Sequence, residues 1–140
     1  MKILLAVDGS STTKRMLATL AAHEEILRGD NQYTALTIVP PVTPRAAAFL
    51  SRATVESWYH EEAEKVLSPV RAFAEQNGWV LDARFALGRA GDAIVALADE
   101  GGFDMIVMGT HGHSALVNVV MGSTATQVLA GTKKPVLLIP

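Results

Sequence analysis

Gly109, Gly112 and Gly122 punctuate one stretch, MGTHGHSALVNVVMGS over residues 108–123, which also carries His111, His113, Ser114 and Ser123. Glycine costs backbone entropy and contributes no packing, so three of them beside ordinary core segments call for a reason. The spacing Gly-x2-Gly-x9-Gly-Ser fits a backbone that closes around an anion. Gly109 and Gly112 let the chain turn tightly with its N–H groups facing a ligand. Gly122-Ser123 then opens a helix whose unpaired amides and dipole attract negative charge, with no side chain at Gly122 to block the approach. Ser123, or Thr124 behind it, adds a hydroxyl donor. A second polar corner is Asp8-Gly9-Ser10. An ionised Asp8 only accepts hydrogen bonds, so it suits ribose hydroxyls or the amino group of a base, and it is a poor phosphate neighbour unless a cation intervenes. It suits the capping of a first helix equally well, and Ser10 reads as a cap.

Other chemistries fit less well. His111 and His113 are two residues apart, but a metal site usually needs three or four ligands, and no cysteine or further histidine cluster accompanies them. A histidine base needs a nucleophile within reach. Ser114 and Ser123 both lie outside a Gly-x-Ser-x-Gly context. The glycine spacing is neither the Walker A loop nor the dinucleotide fingerprint. We therefore expect no catalytic residue and no protein-held metal.

The elements that must position these residues are legible as five short apolar runs: 2–7 (KILLAV), 33–39 (YTALTIV), 79–87 (WVLDARFAL), 104–108 (DMIVM) and 135–139 (PVLLI). The first, fourth and fifth are continuously apolar, as for strands covered on both faces. The third alternates, which suits an edge. Helical patterns lie between them over 12–28, 54–77, 90–100 and 122–132. Pro69 falls inside the second pattern and is expected to kink or split it. The order βαβαβαβαβ implies a parallel sheet with helices on both faces, a three-layer α/β sandwich. Ligands in such sheets bind beyond the carboxyl ends of the strands, where strand order reverses. If strands 1 and 4 are neighbours, the Asp8 and Gly109–Gly112 corners face each other. Residues 40–53 make a long, proline-rich connection, expected to act as a lid or contact surface.

Bulk properties agree. The 140 residues suit one domain over 1–140, with 49% apolar and 19% charged residues. A net charge of −2 without any long run of like charges argues against a nucleic-acid partner. The first apolar run stops at Asp8, too short for a signal peptide, and no run approaches the length needed to cross a bilayer. The expectation is a cytoplasmic protein with no membrane partner and no disulfide.

Taken together, ILLAVDGS at the start, ALGRAGDAI at 86–94, DMIVMGTHGHS at 104–114, GSTATQVL at 122–129 and the closing KKPVLLIP resemble the universal stress protein family, in its ATP-binding branch. The resemblance covers nearly the whole chain. It implies a five-stranded parallel sheet of order 3-2-1-4-5, which places strand 1 beside strand 4. It implies that the backbone around Ala6, Val7 and Asp8 and around Val39 holds adenine and ribose. By matching position, Gly109, Thr110, His111, Gly112, His113, Ser114 and Ala115, with Gly122, Ser123 and Thr124, would hold the sugar and phosphates. The ligand implied is ATP, or AMP or ADP, with Mg²⁺. Members are usually homodimers whose last strand, here Pro135–Ile139, pairs antiparallel across a two-fold axis. An apolar edge strand is an aggregation hazard unless paired, which is a separate physical reason for the dimer.

One departure from the family stands out. Relatives often carry Lys or Arg just after the second glycine or within the nine-residue spacer, whereas this chain has His113 and no basic residue from 114 to 121. Weaker ATP binding, more dependent on pH and Mg²⁺, is expected, since histidine ordinarily titrates near ~6.5. Arg45, Arg52 and Arg89 are candidates for the missing charge. The function implied is a dimeric, stress-related regulatory module that binds adenine nucleotide with little or no turnover. The alternatives are an interaction protein with an empty crevice and a slow ATPase. Phosphoryl transfer requires cationic stabilisation that this loop lacks, which argues against an enzyme.

Overall fold

The computed structural model describes residues 1–25, 27, 30–112 and 121–140. Five strands form one parallel sheet: β1 (Lys2–Ala6), β2 (Gln32–Val39), β3 (Val80–Leu87), β4 (Met105–Gly109) and β5 (Val136–Ile139). Their order is β3-β2-β1-β4-β5. The central strand β1 pairs Ala6 with Leu36 of β2 on one side and Leu5 with Val107 of β4 on the other. Strand order therefore reverses between β1 and β4, and the ends of these two strands share one edge of the sheet.

Helices cover both faces because each strand presents alternate side chains to opposite sides. Helices α1 (Ser11–Ala22) and α3 (Arg52–Gln76) cover one face. There Met16, Leu20, Leu67 and Val70 pack on Ile3, Leu5, Ala35 and Val107. Helices α4 (Ala90–Glu100) and α5 (Ser123–Gly131) cover the other, where Ile94, Ala98 and Val128 meet Leu4, Leu36 and Ile106. β3 is an edge strand as its alternation predicts, with Asp82 and Arg84 paired at 2.6 Å on its exposed face. Charge on an edge discourages pairing with other chains.

The expected break at Pro69 is absent, because α3 runs unbroken from Arg52 to Gln76. Pro69 is exposed. A proline removes its own amide and leaves the carbonyl four residues back without a donor, but on the solvent face water can take that carbonyl. The apolar contacts of Ala63, Leu67, Val70 and Ala74 on the opposite face hold the helix through the defect. α1 is shorter than its apolar stripe, ending at Ala22, while Leu27 reaches the core from beyond the helix. The 40–53 connection contains one helical turn, α2 (Pro44–Ala47), capped by the Thr43 hydroxyl, which accepts from the Ala46 amide at 3.2 Å. The Val42 amide donates to Tyr59 Oη at 2.9 Å and ties this connection to α3. Among the described residues no helix is long and apolar enough to cross a membrane.

Candidate functional site

The carboxyl ends of β1, β2 and β4 open onto a cleft of about 690 Å³, a size suited to a small organic ligand. Ala6, Val7 and Asp8 line it from the end of β1, and Val39 from the end of β2. Gly109, Thr110, His111 and Gly112 line it beyond β4, and Gly122, Ser123 and Thr124 at the start of α5. His113, Ser114 and Ala115 lie outside the described residues.

The first corner is built by Asp8. Its Oδ1 accepts from the Ser10 amide at 2.9 Å and from Thr13 Oγ1 at 2.9 Å, while the Asp8 amide donates back to Thr13 Oγ1 at 3.1 Å. The turn needs Gly9, whose φ of +77° is strained for any residue with a Cβ. Asp8 thus braces the turn that leads into α1, through the Ser10 amide and the Thr13 hydroxyl, and places negative charge just ahead of that helix without capping its first-turn amides through these bonds. Ser10 holds the N-cap position, yet its hydroxyl makes no capping bond and lies buried without a partner among the described residues. The Val7 amide is engaged as well, donating to Leu36 O at 3.0 Å.

The second corner explains the glycines differently from the sequence. Gly109, Gly112 and Gly122 do not have positive φ. They are small because of what stands against them. A Cβ on Gly109 would overlap Thr12 Cγ2 of α1, and one on Gly112 would fall 2.6 Å from Asp8 Oδ2. One on Gly122 would lie 3.3 Å from Thr110 O and 3.6 Å from His111 Cα. The Asp8 turn and the Gly109–Gly112 loop therefore do face each other across the crevice, at van der Waals range.

Thr110 ties this loop down. Its amide donates to Ile139 O at 3.0 Å, and its carbonyl accepts from the Gly122 amide at 2.6 Å. Thr110 Oγ1 and His111 Nδ1 are 3.0 Å apart. The Gly122 amide is spent on this closure, so the donors left for a ligand begin at Ser123. As first-turn residues of α5, Ser123 and Thr124 have amides without intrahelical acceptors. α5 has no side-chain cap and no acidic residue in its first turn. α1 likewise has no side-chain cap and no first-turn acid, but the Asp8 carboxylate stands just ahead of it, so of these two helix starts α5 is the more favourable for an anion.

Beside this polar edge lies an apolar slot on the α4 face, formed by Leu36, Ile38, Ala90, Ile94 and Met108. Its walls suit a flat ring. On the α1/α3 face the lining includes two charged residues that sequence reasoning missed, Glu62 and Lys65. They face the cleft because Val66 packs against Gly9, with Val66 Cγ2 3.3 Å from where a Gly9 Cβ would sit. The signal was available in the apolar stripe of α3, whose members Ala63 and Val66 each have one of these residues as the preceding neighbour. Lys65 is the only Lys or Arg among the described lining residues, and Arg45, Arg52 and Arg89 are not among them. Arg52 pairs instead with Glu56 at 3.4 Å in full solvent.

The comparisons agree with this fold. The model of the universal stress protein family matches residues 1–140. Universal stress protein Slr1230 of Synechocystis sp. is 34% identical over 137 residues, which is 97% of this chain and 41% of that protein. The chain therefore spans less than half the length of this curated relative. The solved structure of hypothetical protein MJ0577, from Methanocaldococcus jannaschii, superposes with a TM-score of 0.78 at 23% identity, covering 99% of this chain and 94% of that one. The universal stress protein from Archaeoglobus fulgidus in complex with dAMP has a TM-score of 0.70 and 26% identity, covering 100% of this chain and 98% of that one. With the family model matched from Met1 to Pro140 and a curated member aligned over nearly all of that length, the chain belongs to the universal stress protein family.

Proposed function

We propose that this chain is a single nucleotide-binding domain that holds an adenine nucleotide in the cleft and serves as a regulatory binding module with little or no turnover. The observation that carries the reading is the pairing, in one cleft of about 690 Å³, of the uncapped α5 start with an apolar wall. The complex of the Archaeoglobus fulgidus relative with dAMP supports the same class of ligand. The base lies at the carboxyl ends of β1 and β2, between the Leu36 and Ile38 slot and the Val39 backbone, and Ala6 to Asp8 flank the base and ribose. Gly109 to Ala115 and Ser123 with Thr124 hold the phosphates, and Gly122 contributes by leaving room. ATP is the ligand proposed, with AMP or ADP in the same place. Mg²⁺ would accompany ATP held by phosphate oxygens and water, since Asp8 Oδ1 already accepts two hydrogen bonds and Glu62 is the other carboxylate in the lining. Two copies would pair through Pro135–Ile139, because β5 ends the sheet and, among the described strands, pairs with β4 alone.

Calorimetric titration with Mg-ATP, AMP and adenosine tests this directly. ATP and AMP are expected to bind more tightly than adenosine by at least about tenfold, the contribution of charge-assisted hydrogen bonds to a phosphate. Native mass spectrometry of the same samples should show two copies per particle. No binding of any of the three, and no rise in melting temperature with Mg-ATP, would remove the proposal.

The histidine in place of a basic loop residue makes a further prediction. A neutral His113 offers phosphate at most one N–H donor, as an asparagine would, and a protonated one adds charge, so the charge contribution is present at low pH and lost as the pH rises through the histidine's titration. Relative to His113→Asn, the wild type should bind ATP more tightly at pH 6 and equally at pH 8. Equal affinities of the two proteins at pH 6 would show that His113 has no part in it.

A further inference from the structure

We infer that Lys65 and Glu62 of α3 form a phosphate-counting pair, in which Lys65 leaves Glu62 to meet the terminal phosphates of a nucleoside triphosphate. The inference rests on the nucleotide reading of the cleft and adds the substrate class, a triphosphate in preference to a monophosphate. Lys65 Nζ donates to Glu62 Oε1 at 2.6 Å, and both side chains line the cleft on the face opposite α5. Lys65 keeps 70% of its side-chain surface in solvent, so the ammonium is free to swing on its four-carbon stem.

The α5 start supplies few amides, and those at Ser123 and Thr124 suit one or two phosphate groups. A longer chain carries its outermost charge away from α5, past the Gly112–Asp8 corner. On that path Asp8 presents a carboxylate against Gly112, and among the described lining residues the one lysine or arginine stands on α3, Lys65. It is held in place by a neighbour it can exchange for a stronger one, because a terminal phosphate carries more charge than a carboxylate. The Glu62 carboxylate beside it holds the Lys65 amine above its ordinary range, so the cation persists across the neutral pH range. When Lys65 leaves, Glu62 is exposed to the incoming charge, so it opposes binding unless a cation covers it. The pair therefore rewards a long phosphate chain through Lys65 and penalises stray anions through Glu62.

Three variants separate these roles, all with side chains on the rim so that folding is undisturbed. Lys65→Met is expected to weaken Mg-ATP binding by about fivefold or more and AMP binding by less than about twofold, reducing the ATP-to-AMP preference. Lys65→Arg should restore that preference. Glu62→Gln should strengthen ATP binding by about two- to threefold and leave AMP unchanged. Calorimetry at fixed ionic strength reads all of these. If ATP and AMP bind but their ratio is the same in Lys65→Met as in the wild type, the pair does not count phosphates and the nucleotide site stands without it. If neither nucleotide binds the wild type, the site and the pair fall together.

Discussion

Gly122→Asp is expected to weaken Mg-ATP binding by about a hundredfold or more while leaving the melting temperature of the ligand-free protein nearly unchanged. Gly122 is the N-cap of α5, with φ −72° and ψ 167°, a conformation open to any residue. Its missing side chain leaves the amides of Ser123 and Thr124 facing the cleft. An aspartate at an N-cap accepts from the first-turn amides and adds a negative charge at the positive end of the helix. It would take the Thr124 amide at N2 from the phosphate and, by its charge, repel the ligand from the neighbouring Ser123 amide. Each charge-assisted hydrogen bond lost is worth about 1.5–3 kcal/mol, so two of them exceed a factor of a hundred. The fold should tolerate the change. Aspartate caps slightly better than glycine, by a few tenths of a kcal/mol. The Cβ at 3.3 Å from Thr110 O asks for a small adjustment of the loop. Gly122→Ser, with a neutral cap and the same crowding, should lose much less affinity. Calorimetry and thermal melting of both variants check the claim, and wild-type affinity in Gly122→Asp would place the phosphates elsewhere.

Phe103→Ala is expected to do the reverse, lowering stability by about 3–5 kcal/mol with nucleotide affinity at low temperature intact. Phe103 is 2% exposed and lies between the end of α4 and the start of β4, at the amino ends of the strands. The local chain is shaped around its ring. A Cβ on Gly101 would fall 2.5 Å from Phe103 Cε2, and Lys2 Nζ stands 4.9 Å from the ring centroid while donating to Gly101 O at 2.6 Å. Truncation leaves a cavity lined by Leu4 and Ile106 of the sheet and Ala98 of α4, which belong to the same apolar cluster and are close-packed, so the site collapses only partly. Urea denaturation should show a lower midpoint at unchanged slope. A change below about 1 kcal/mol would mean that the cluster repacks freely. Against an overall stability of about 5–15 kcal/mol, the expected loss is large. The two variants dissociate binding from folding, because their residues lie at opposite ends of the same sheet.

Much of this arrangement could be read from the chain alone. The five strands fall within one or two residues of the apolar runs, since strands buried on both faces have few polar residues to blur their limits. The strand order came with the family resemblance, and the register of β1 with β4 bears it out. Pro69 misled because a proline is judged by its local rule, whereas its cost depends on which face of the helix it occupies. Leu27 misled in the other direction, continuing the spacing of α1 while entering the core from a turn. The importance of Gly109 and Gly112 was legible but its cause was not. Their need is for room against Thr12 and Asp8, residues about a hundred positions away that only folding brings close. Lys65 was hidden for the same reason, while Arg45 and Arg52 drew attention only through their place in an unusual connection.

The claim on which the rest depends is that the Ser123 and Thr124 amides grip phosphate. It is tested most directly by following backbone amide resonances of ¹⁵N-labelled protein during parallel titrations with Mg-ATP and adenosine. Both ligands should shift amides near Val39 and Ala6, and only Mg-ATP should strongly shift those of Gly112, Ser123 and Thr124. Saturation with Mg-ATP that leaves the Ser123 and Thr124 amides where adenosine leaves them would contradict the account.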